Sequence, residues 1–186
     1  MDIISELNGK RILIWGYGRE GKATEHFLQR CVKPASVDIF EGKKEEIDED
    51  DYDFIIKSPG IVMNEENPKY TSETELFLQQ FRDQVIGITG TKGKSTTSAM
   101  LYTVLKACSS RPVLLLGNIG QPCLDYFEEV TEDTIIVYEM SCHQLAHTNV
   151  SPHIAIFLNL YEEHLDYYGT VEKYFEAKSH IAAYQK

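Results

Sequence analysis

A glycine-rich segment, "GTKGKST" at residues 90–96, has the residue types that bind phosphate. It follows the apolar run "VIGI" and precedes a helical pattern, so its backbone N–H groups can form a nest for an anion. Lys94 would then reach the outer phosphates of a nucleoside triphosphate, and the Ser95 hydroxyl would ligate Mg²⁺. The predicted phosphate contacts are Gly90, Thr91, Lys92, Gly93, Lys94, Ser95 and Thr96.

The spacing of this segment departs from the common G-x-x-x-x-G-K-[ST] pattern, because position 88 is isoleucine where that pattern has glycine. The simpler alternative is a glycine-rich helix start with a solvated lysine. The order of glycine, lysine and hydroxyl nevertheless favours triphosphate binding.

Three further polar positions follow predicted strands of the same half of the chain. Asn118 lies in "GNIG", Glu139 ends "TIIVYE", and His164 lies with Asp166 in "EEHLD". The carboxyl ends of parallel strands meet at one edge of a sheet, so a carboxylate and an imidazole there could hold Mg²⁺ beside the triphosphate. Taken singly, Asn118 could be a turn residue, Glu139 a member of an ion pair and His164 a helix cap.

A second glycine cluster, "GYGREG" at residues 16–21, follows a predicted strand and precedes a helix. This is the setting of a dinucleotide fingerprint, and Glu41 ends the next strand where an acidic residue would hold a ribose. "SPG" at residues 58–60 ends another strand and would line the same crevice. A nicotinamide cofactor and a ligand-free turn both remain open on these residues alone.

Lys178 breaks a helical pattern in "TVEKYFEAKSHIAAY". It falls in the middle of the apolar face at 100° per residue, so it must either extend to the edge of that face or serve a site. Burial would lower its pKa and provide a neutral amine for modification. His143 and His147 are four residues apart but are interpreted as packing or surface residues.

Alternating apolar runs and helical patterns predict an α/β fold with parallel sheets. We place a domain boundary near residues 82–84. The first half (residues 1–84) is then a Rossmann-like domain, and the second half (residues 85–186) is part of a P-loop-type ATP-binding domain. The predicted strands are 11–15, 36–40, 52–56, 85–88, 112–116, 134–140 and 153–160, and the helices include 20–31 and 71–81.

Composition excludes several classes of protein. The 186 residues are 42% hydrophobic and 25% charged, as in ordinary globular domains, and no apolar stretch is long enough for a membrane helix. A net charge of −11 argues against nucleic acid as a partner. Four scattered cysteines and the lack of a signal peptide at the N-terminus indicate a cytoplasmic protein.

The motifs together resemble the Mur ligase family. "GITGTKGKST" is similar to the family's variant phosphate loop, which explains the missing glycine at 88, and "LLGNIG", "YEMSCHQL" and "NLYEEHLDYYGTVEKYFEAK" follow in the family's order. "GYGREG", "SPGI" and "SETELF" look most like the members that add D-glutamate. The resemblance implies that ATP phosphorylates the carboxylate of UDP-N-acetylmuramoyl-L-alanine and that the D-glutamate amine attacks the acyl phosphate.

The resemblance also assigns roles to residues. Lys94 would hold the β- and γ-phosphates, Ser95 and Glu139 one Mg²⁺, and His164 a second Mg²⁺ next to the substrate. Lys178 would be carbamylated, which turns a cation into a Mg²⁺-compatible carboxylate, so that Lys94, His164 and Lys178 are the predicted catalytic residues. The predicted substrate contacts are Gly18, Arg19, Glu20, Glu41, Ser58, Pro59 and Gly60 for the uridine diphosphate, and Asn118 and His164 for the muramoyl part.

Family enzymes are well over twice this length, so the sequence leads us to expect that this chain alone does not ligate. Cys142 and His143 stand where the family usually has a serine and an aromatic residue. The alternatives are a non-catalytic nucleotide-binding module, an NAD-dependent oxidoreductase, and a folate- or cyanophycin-type ligase of the same family.

Overall fold

The computed structural model describes residues 2–61 and 67–186 and shows an α/β fold with two parallel sheets, as predicted. The first sheet has the strand order β2-β1-β3-β4. Its strands are β1 (Arg11–Trp15), β2 (Ser36–Phe40), β3 (Phe54–Lys57) and β4 (Tyr70–Thr71). The helices of this half are α1 (Ile3–Leu7), α2 (Arg19–Cys31) and α3 (Glu73–Phe81).

The second sheet has the order β6-β7-β5-β8, so its first strand in the chain, β5, lies between the last two, β7 and β8. Its strands are β5 (Val85–Thr89), β6 (Val113–Gly117), β7 (Ile135–Glu139) and β8 (Ile154–Phe157). The helices are α4 (Lys94–Cys108), α5 (Cys142–Leu145), α6 (Leu165–Tyr168) and α7 (Val171–Ala183), with a 3-10 segment at Leu124–Glu129. Within the described part of the chain, no helix combines the length and apolar character required to span a bilayer.

The inner strands β1, β5 and β7 are buried on both faces because both faces of a parallel sheet are covered, whereas the edge strands β2 and β8 are partly exposed. In β1, Ile12 and Ile14 join the large core, whereas Leu13 and Trp15 pack with Ile55 in a smaller cluster on the other face. This alternation fixes the register of the first sheet, since a shift of one residue would exchange the two faces.

One apolar core extends through both halves of the chain. The Phe27 ring of α2 lies 4.7 Å from that of Phe127 in the 3-10 segment, and the Phe77 ring of α3 lies 5.9 Å from that of Tyr138 in β7. We call this contact between the halves the seam. Because aromatic side chains bury large areas, the seam contributes substantially to stability.

Element ends differ from the predictions where tertiary contacts intervene. Helix α3 begins at Glu73 because Thr71 pairs within β4 and Ser72 caps the helix, its Oγ accepting a hydrogen bond from the Glu75 N–H. Strand β8 ends at Phe157, not at residue 160, although the backbones of Leu158 and Asn159 still bond to Thr89 and Thr91. The short elements α1, β4, α5 and α6 were not predicted, since segments of two to five residues carry little periodicity.

Replacing Phe77 by alanine should lower the free energy of unfolding by about 3–5 kcal/mol. The side chain is fully buried between α3 and the second sheet, so the substitution leaves a cavity at the seam. The matched control is Phe175→Ala on α7, where half of the side chain is exposed and the loss should stay below about 1 kcal/mol. Urea unfolding of both variants measures the difference, and equal losses would contradict a seam-spanning core.

Candidate active site

The segment at residues 90–96 forms a loop between the end of β5 and the start of α4. Gly93 caps α4 with φ of 83°, a left-handed conformation in which a side chain is strained. The first N–H groups of α4 have no partner within the helix and are available to an anion. The loop therefore has the backbone geometry that phosphate binding requires.

The Lys94 ammonium lies over this loop. Its Nζ donates hydrogen bonds to the carbonyl oxygens of Gly90 at 2.9 Å and Thr91 at 3.1 Å. Ser95 and Thr96, in the first turn of α4, are exposed. A cation and two exposed hydroxyl groups thus stand next to the free N–H groups of the helix.

The segment after β8 holds the loop in place. The Asn159 side chain accepts a hydrogen bond from the Lys92 N–H at 2.9 Å and donates one to the Lys92 carbonyl at 3.0 Å. Thr91 Oγ1 accepts a hydrogen bond from the Tyr161 N–H at 2.9 Å, and Lys92 pairs with Glu163. Asn159 was not predicted as a site residue, and the available signal was a polar residue near the end of the predicted strand 153–160.

Glu139 ends β7 beside the loop, with Ile88 of β5 as its register partner. The side chain is fully buried, and its Oε1 accepts a hydrogen bond of 2.6 Å from the Asn118 side chain. The second oxygen, Oε2, has no hydrogen-bond partner. A buried carboxylate oxygen without a donor is costly, so the site fits a divalent cation that would satisfy it.

Lys178 of α7 is 1% exposed and reaches the same loop. Its Nζ donates to the Gly90 carbonyl at 2.8 Å, lies 3.4 Å from Thr89 Oγ1, and stands 4.9 Å from the centre of the Tyr174 ring. Burial lowers the pKa of this amine to about 8, with Lys94 contributing in the same direction. The break in the helical pattern therefore corresponds to a lysine directed inward, and its carbamylation stays a prediction.

His164 has φ of 55° and is the one non-glycine residue with positive φ among residues 2–61 and 67–186. It precedes α6, and its ring centre lies 5.9 Å from the ring of Tyr174, whose hydroxyl is 3.1 Å from Thr91 Oγ1. Such backbone strain is commonly found at functional sites. The fold thus brings His164 into the neighbourhood of the loop.

The two other histidines considered in the sequence do not share a helix, because α5 ends at Leu145. His143 packs against the Tyr167 ring at 4.4 Å, and burial lowers the pKa of His147 to about 4. Among the described residues, no three His, Cys, Asp or Glu side chains are grouped as a metal site. Of the four predicted metal ligands, only Glu139 and His164 are of these residue types, so they could not form such a group. The metal-binding role of the four residues therefore stays a prediction.

The predicted crevice of the first half lies at the carboxyl edge of β1 and β3, where the strand order reverses. Ser58 Oγ donates a hydrogen bond of 2.9 Å to the Gly16 carbonyl, and a Cβ on Gly16 would lie 2.7 Å from that Oγ. A Cβ on Gly21 would lie 2.2 Å from the Gly16 carbonyl oxygen. These glycines are therefore required by close packing, whether or not a ligand binds.

The remaining predicted contacts of the first half differ in their exposure. Gly18, which caps α2, and Glu41 and Gly60 are exposed, and Pro59 adjoins them. The Arg19 guanidinium donates to the Gly120 carbonyl at 3.4 Å, next to Asn118. The predicted uridine and muramoyl contacts therefore meet across the seam.

Glu20 is placed differently from the other predicted contacts. Its Oε1 accepts a hydrogen bond of 2.8 Å from Gln144 Nε2, so the side chain faces the seam. Its backbone N–H belongs to the first turn of α2, where it has no partner within the helix. Only the backbone of Glu20 is thus well placed for a ligand.

Comparison with known proteins identifies the family of this chain. The family described as Mur ligase middle domain matches residues 88–186. A UDP-N-acetylmuramoylalanine–D-glutamate ligase of Clostridium kluyveri is 37% identical over 166 residues, covering 85% of this chain and 36% of the relative. Relatives of the same name from Streptococcus agalactiae and Oenococcus oeni are 33% and 30% identical, covering 97% and 95% of this chain and 47% and 44% of their own lengths.

The chain therefore spans less than half the length of these curated relatives. The matched region of the family begins in β5 and includes the loop, Asn118, Glu139, His164 and Lys178. On this match, the chain belongs to the Mur ligase family.

Proposed function

We propose that this chain supplies the triphosphate and nucleotide-substrate contacts of an ATP-dependent ligase acting in peptidoglycan precursor synthesis. The ligase joins D-glutamate to UDP-N-acetylmuramoyl-L-alanine through an acyl phosphate. The observation that carries the proposal is that Lys94 and Lys178 both donate to the Gly90 carbonyl of one loop. Glu139, with its unpartnered oxygen, ends the strand that neighbours the one leading into this loop. The free cysteines support a cytoplasmic setting.

Transfer of a phosphoryl group depends mainly on alignment and on neutralisation of charge. In the proposed roles, Lys94 neutralises the outer phosphates and the free N–H groups of α4 orient them. Ser95 and Glu139 hold one Mg²⁺, and His164 holds a second. Bound Mg²⁺ supplies positive charge to the phosphate oxygens.

The site requires Lys178 to change its charge. As an ammonium it would add a cation next to Lys94, whereas a carbamate formed by addition of the neutral amine to CO₂, with loss of one proton, would be an anionic oxygen ligand. The lowered pKa of about 8 supports this role because it makes the neutral amine accessible near physiological pH.

The first half is proposed to be the substrate domain, with the boundary near residues 82–84, where a 3-10 turn separates α3 from β5. Its predicted contacts would hold the uridine diphosphate, with Glu41 on the ribose. Asn118 would contact the muramoyl part from the other side of the seam, and the bond from Arg19 to Gly120 supports that continuity.

Lys94→Ala should weaken binding of ATP with Mg²⁺ at least about tenfold, since a charge-assisted contact to phosphate is lost. The control is Lys106→Ala in the last turn of the same helix, which removes an exposed lysine bonded to Tyr102. Isothermal titration at fixed salt measures both affinities. Equal affinities for the two variants would remove Lys94 from the phosphate site.

A ¹³C carbamate signal should appear when the protein is equilibrated with ¹³C-bicarbonate, and it should grow as the pH rises. With a pKa of about 8, roughly one tenth of the Lys178 amine is neutral at pH 7 and about three quarters at pH 8.5. Lys178→Met should abolish the signal. Lys57→Met is the matched control because burial also lowers the pKa of Lys57 to about 8, and a signal lost in this variant instead would refute the assignment.

UDP-N-acetylmuramoyl-L-alanine at a hundredfold excess over its Kd should raise the Tm by roughly 5–10 °C. Glu41→Ala should weaken this ligand about tenfold through the lost ribose contact, whereas Glu45→Ala, another exposed carboxylate of the same region, should have no effect. NAD⁺ should leave the Tm unchanged. A shift with NAD⁺ and none with the muramoyl ligand would favour the oxidoreductase.

A further inference from the structure

A cavity of about 850 Å³ lies between the two halves of the chain, away from the candidate active site. Its walls come from β3, β4 and α3 on one side and from α6 and α7 on the other. The volume is within the range of sites that hold small molecules. None of the residues assigned above to ATP, Mg²⁺ or the UDP-linked substrate lines this cavity.

The cavity has hydrogen-bond donors that lack acceptors. Lys57, the last residue of β3, is 4% exposed, and its Nζ donates to the Ile61 carbonyl at 3.2 Å. Within residues 2–61 and 67–186, no carboxylate oxygen lies within 4.0 Å of this Nζ. Tyr167 also lines the cavity, and its buried hydroxyl has no hydrogen-bond partner. A buried ammonium has three N–H donors and is costly without further acceptors.

The cavity also has acceptors that lack donors. Gln79 of α3 and Glu6 of α1 line it, and Gln79 Oε1 and Glu6 Oε2 are buried without a hydrogen-bond partner. Helices α1 and α3 adjoin at this place, since the Ile3 N–H donates to Gln80 Oε1 at 3.1 Å. An ionised carboxylate accepts hydrogen bonds only, so a positively charged donor suits this end of the cavity.

The donor Lys57 and the acceptor Gln79 lie at different ends of α3. In the first sheet Ile56 is the register partner of Thr71, so Lys57 lies next to the start of α3, which Ser72 caps. Gln79 comes seven residues after this cap, a rise of about 10 Å along the helix axis. An extended dipeptide spans about 7 Å, so with a hydrogen bond at each end it fits this separation.

The other charged and titratable side chains among the described lining residues leave this polarity intact. Both oxygens of Glu75 already accept hydrogen bonds, at 3.2 and 3.3 Å. Lys173 and Glu176 of α7 are exposed and opposite in charge. Burial lowers the pKa of His147 to about 4, so it is neutral at pH 7, and His180 Nδ1 is bonded to a backbone carbonyl at 3.0 Å.

We propose that this cavity binds a small zwitterion of about dipeptide length, with its carboxylate on Lys57 and its ammonium at Glu6 and Gln79. The rings of Phe54 and Tyr168, which also line the cavity, provide apolar surface for the chain between the two charges. Burial lowers the pKa of Lys57 to about 8, so most of this amine is still charged at pH 7. The inference does not rest on the proposed function.

Titration calorimetry of the full chain at pH 7 tests the proposal with glycylglycine and two analogues that each lack one charge. Glycylglycinamide has no carboxylate, and N-acetylglycylglycine has no ammonium. We expect a Kd below about 1 mM for glycylglycine and at least about tenfold weaker binding of each analogue, since each loses one charge-assisted contact. Glycylglycine that does not bind, or analogues that bind equally well, would overturn the proposal.

Lys57→Met tests the carboxylate end, and Lys33→Met, which removes an exposed lysine outside the cavity, is the control. Lys57→Met should weaken glycylglycine at least about tenfold and leave glycylglycinamide unchanged, because this analogue has no carboxylate to lose. Lys33→Met should change neither affinity. Glu6→Gln should weaken glycylglycine and leave N-acetylglycylglycine unchanged. Equal losses for glycylglycine and glycylglycinamide in Lys57→Met would indicate a merely structural lysine and contradict the assignment.

Discussion

The hydrogen bond from Lys178 to the Gly90 carbonyl is the contact on which the geometry of the site depends. A buried amine must be bonded, and this one is bonded to the proposed phosphate loop itself, 88 residues away in the chain. Helix α7 and the loop therefore keep a fixed relative position. The Tyr174 hydroxyl, one turn earlier on α7, makes a second contact to the loop at Thr91.

The charged side chains around the loop include arrangements that a bound ligand would make more favourable. Two lysines, Lys94 and Lys178, bond to loop carbonyls, while Glu139 retains an oxygen without a donor. The Glu139 oxygen lacks the partner that a buried polar group normally finds, and the two lysines place positive charge on one carbonyl. Together they suit a bound phosphate and divalent cations, which would take up the lysine charge and the carboxylate oxygen at once.

The sequence predicted those parts of the structure that local pattern determines. The seven strands with apolar runs and the loop follow from periodicity and from glycine placement. Periodicity also puts Lys178 on the apolar face of its helix, but it left open whether the side chain extends to the edge of that face or serves a site. The anchoring by Asn159 and the direction of the Glu20 side chain were not predictable, because each is set by a neighbour far away in the chain. The strain at His164 was likewise invisible, since histidine does not by itself indicate a left-handed backbone.

The seam also constrains how a substrate could reach from one half to the other. Arg19 bonds to Gly120 and Glu20 bonds to Gln144, so adjacent residues of α2 contact the loop that follows β6 and helix α5, which follows β7. These two segments begin next to Asn118 and Glu139, whose side chains are bonded to each other. Two hydrogen bonds therefore link α2 to the neighbourhood of the proposed metal ligand Glu139. Since the core at Phe27 and Phe77 resists a shift of α2, the proposed nucleotide crevice and the loop at residues 90–96 are held at a set distance by the same packing that stabilises the fold.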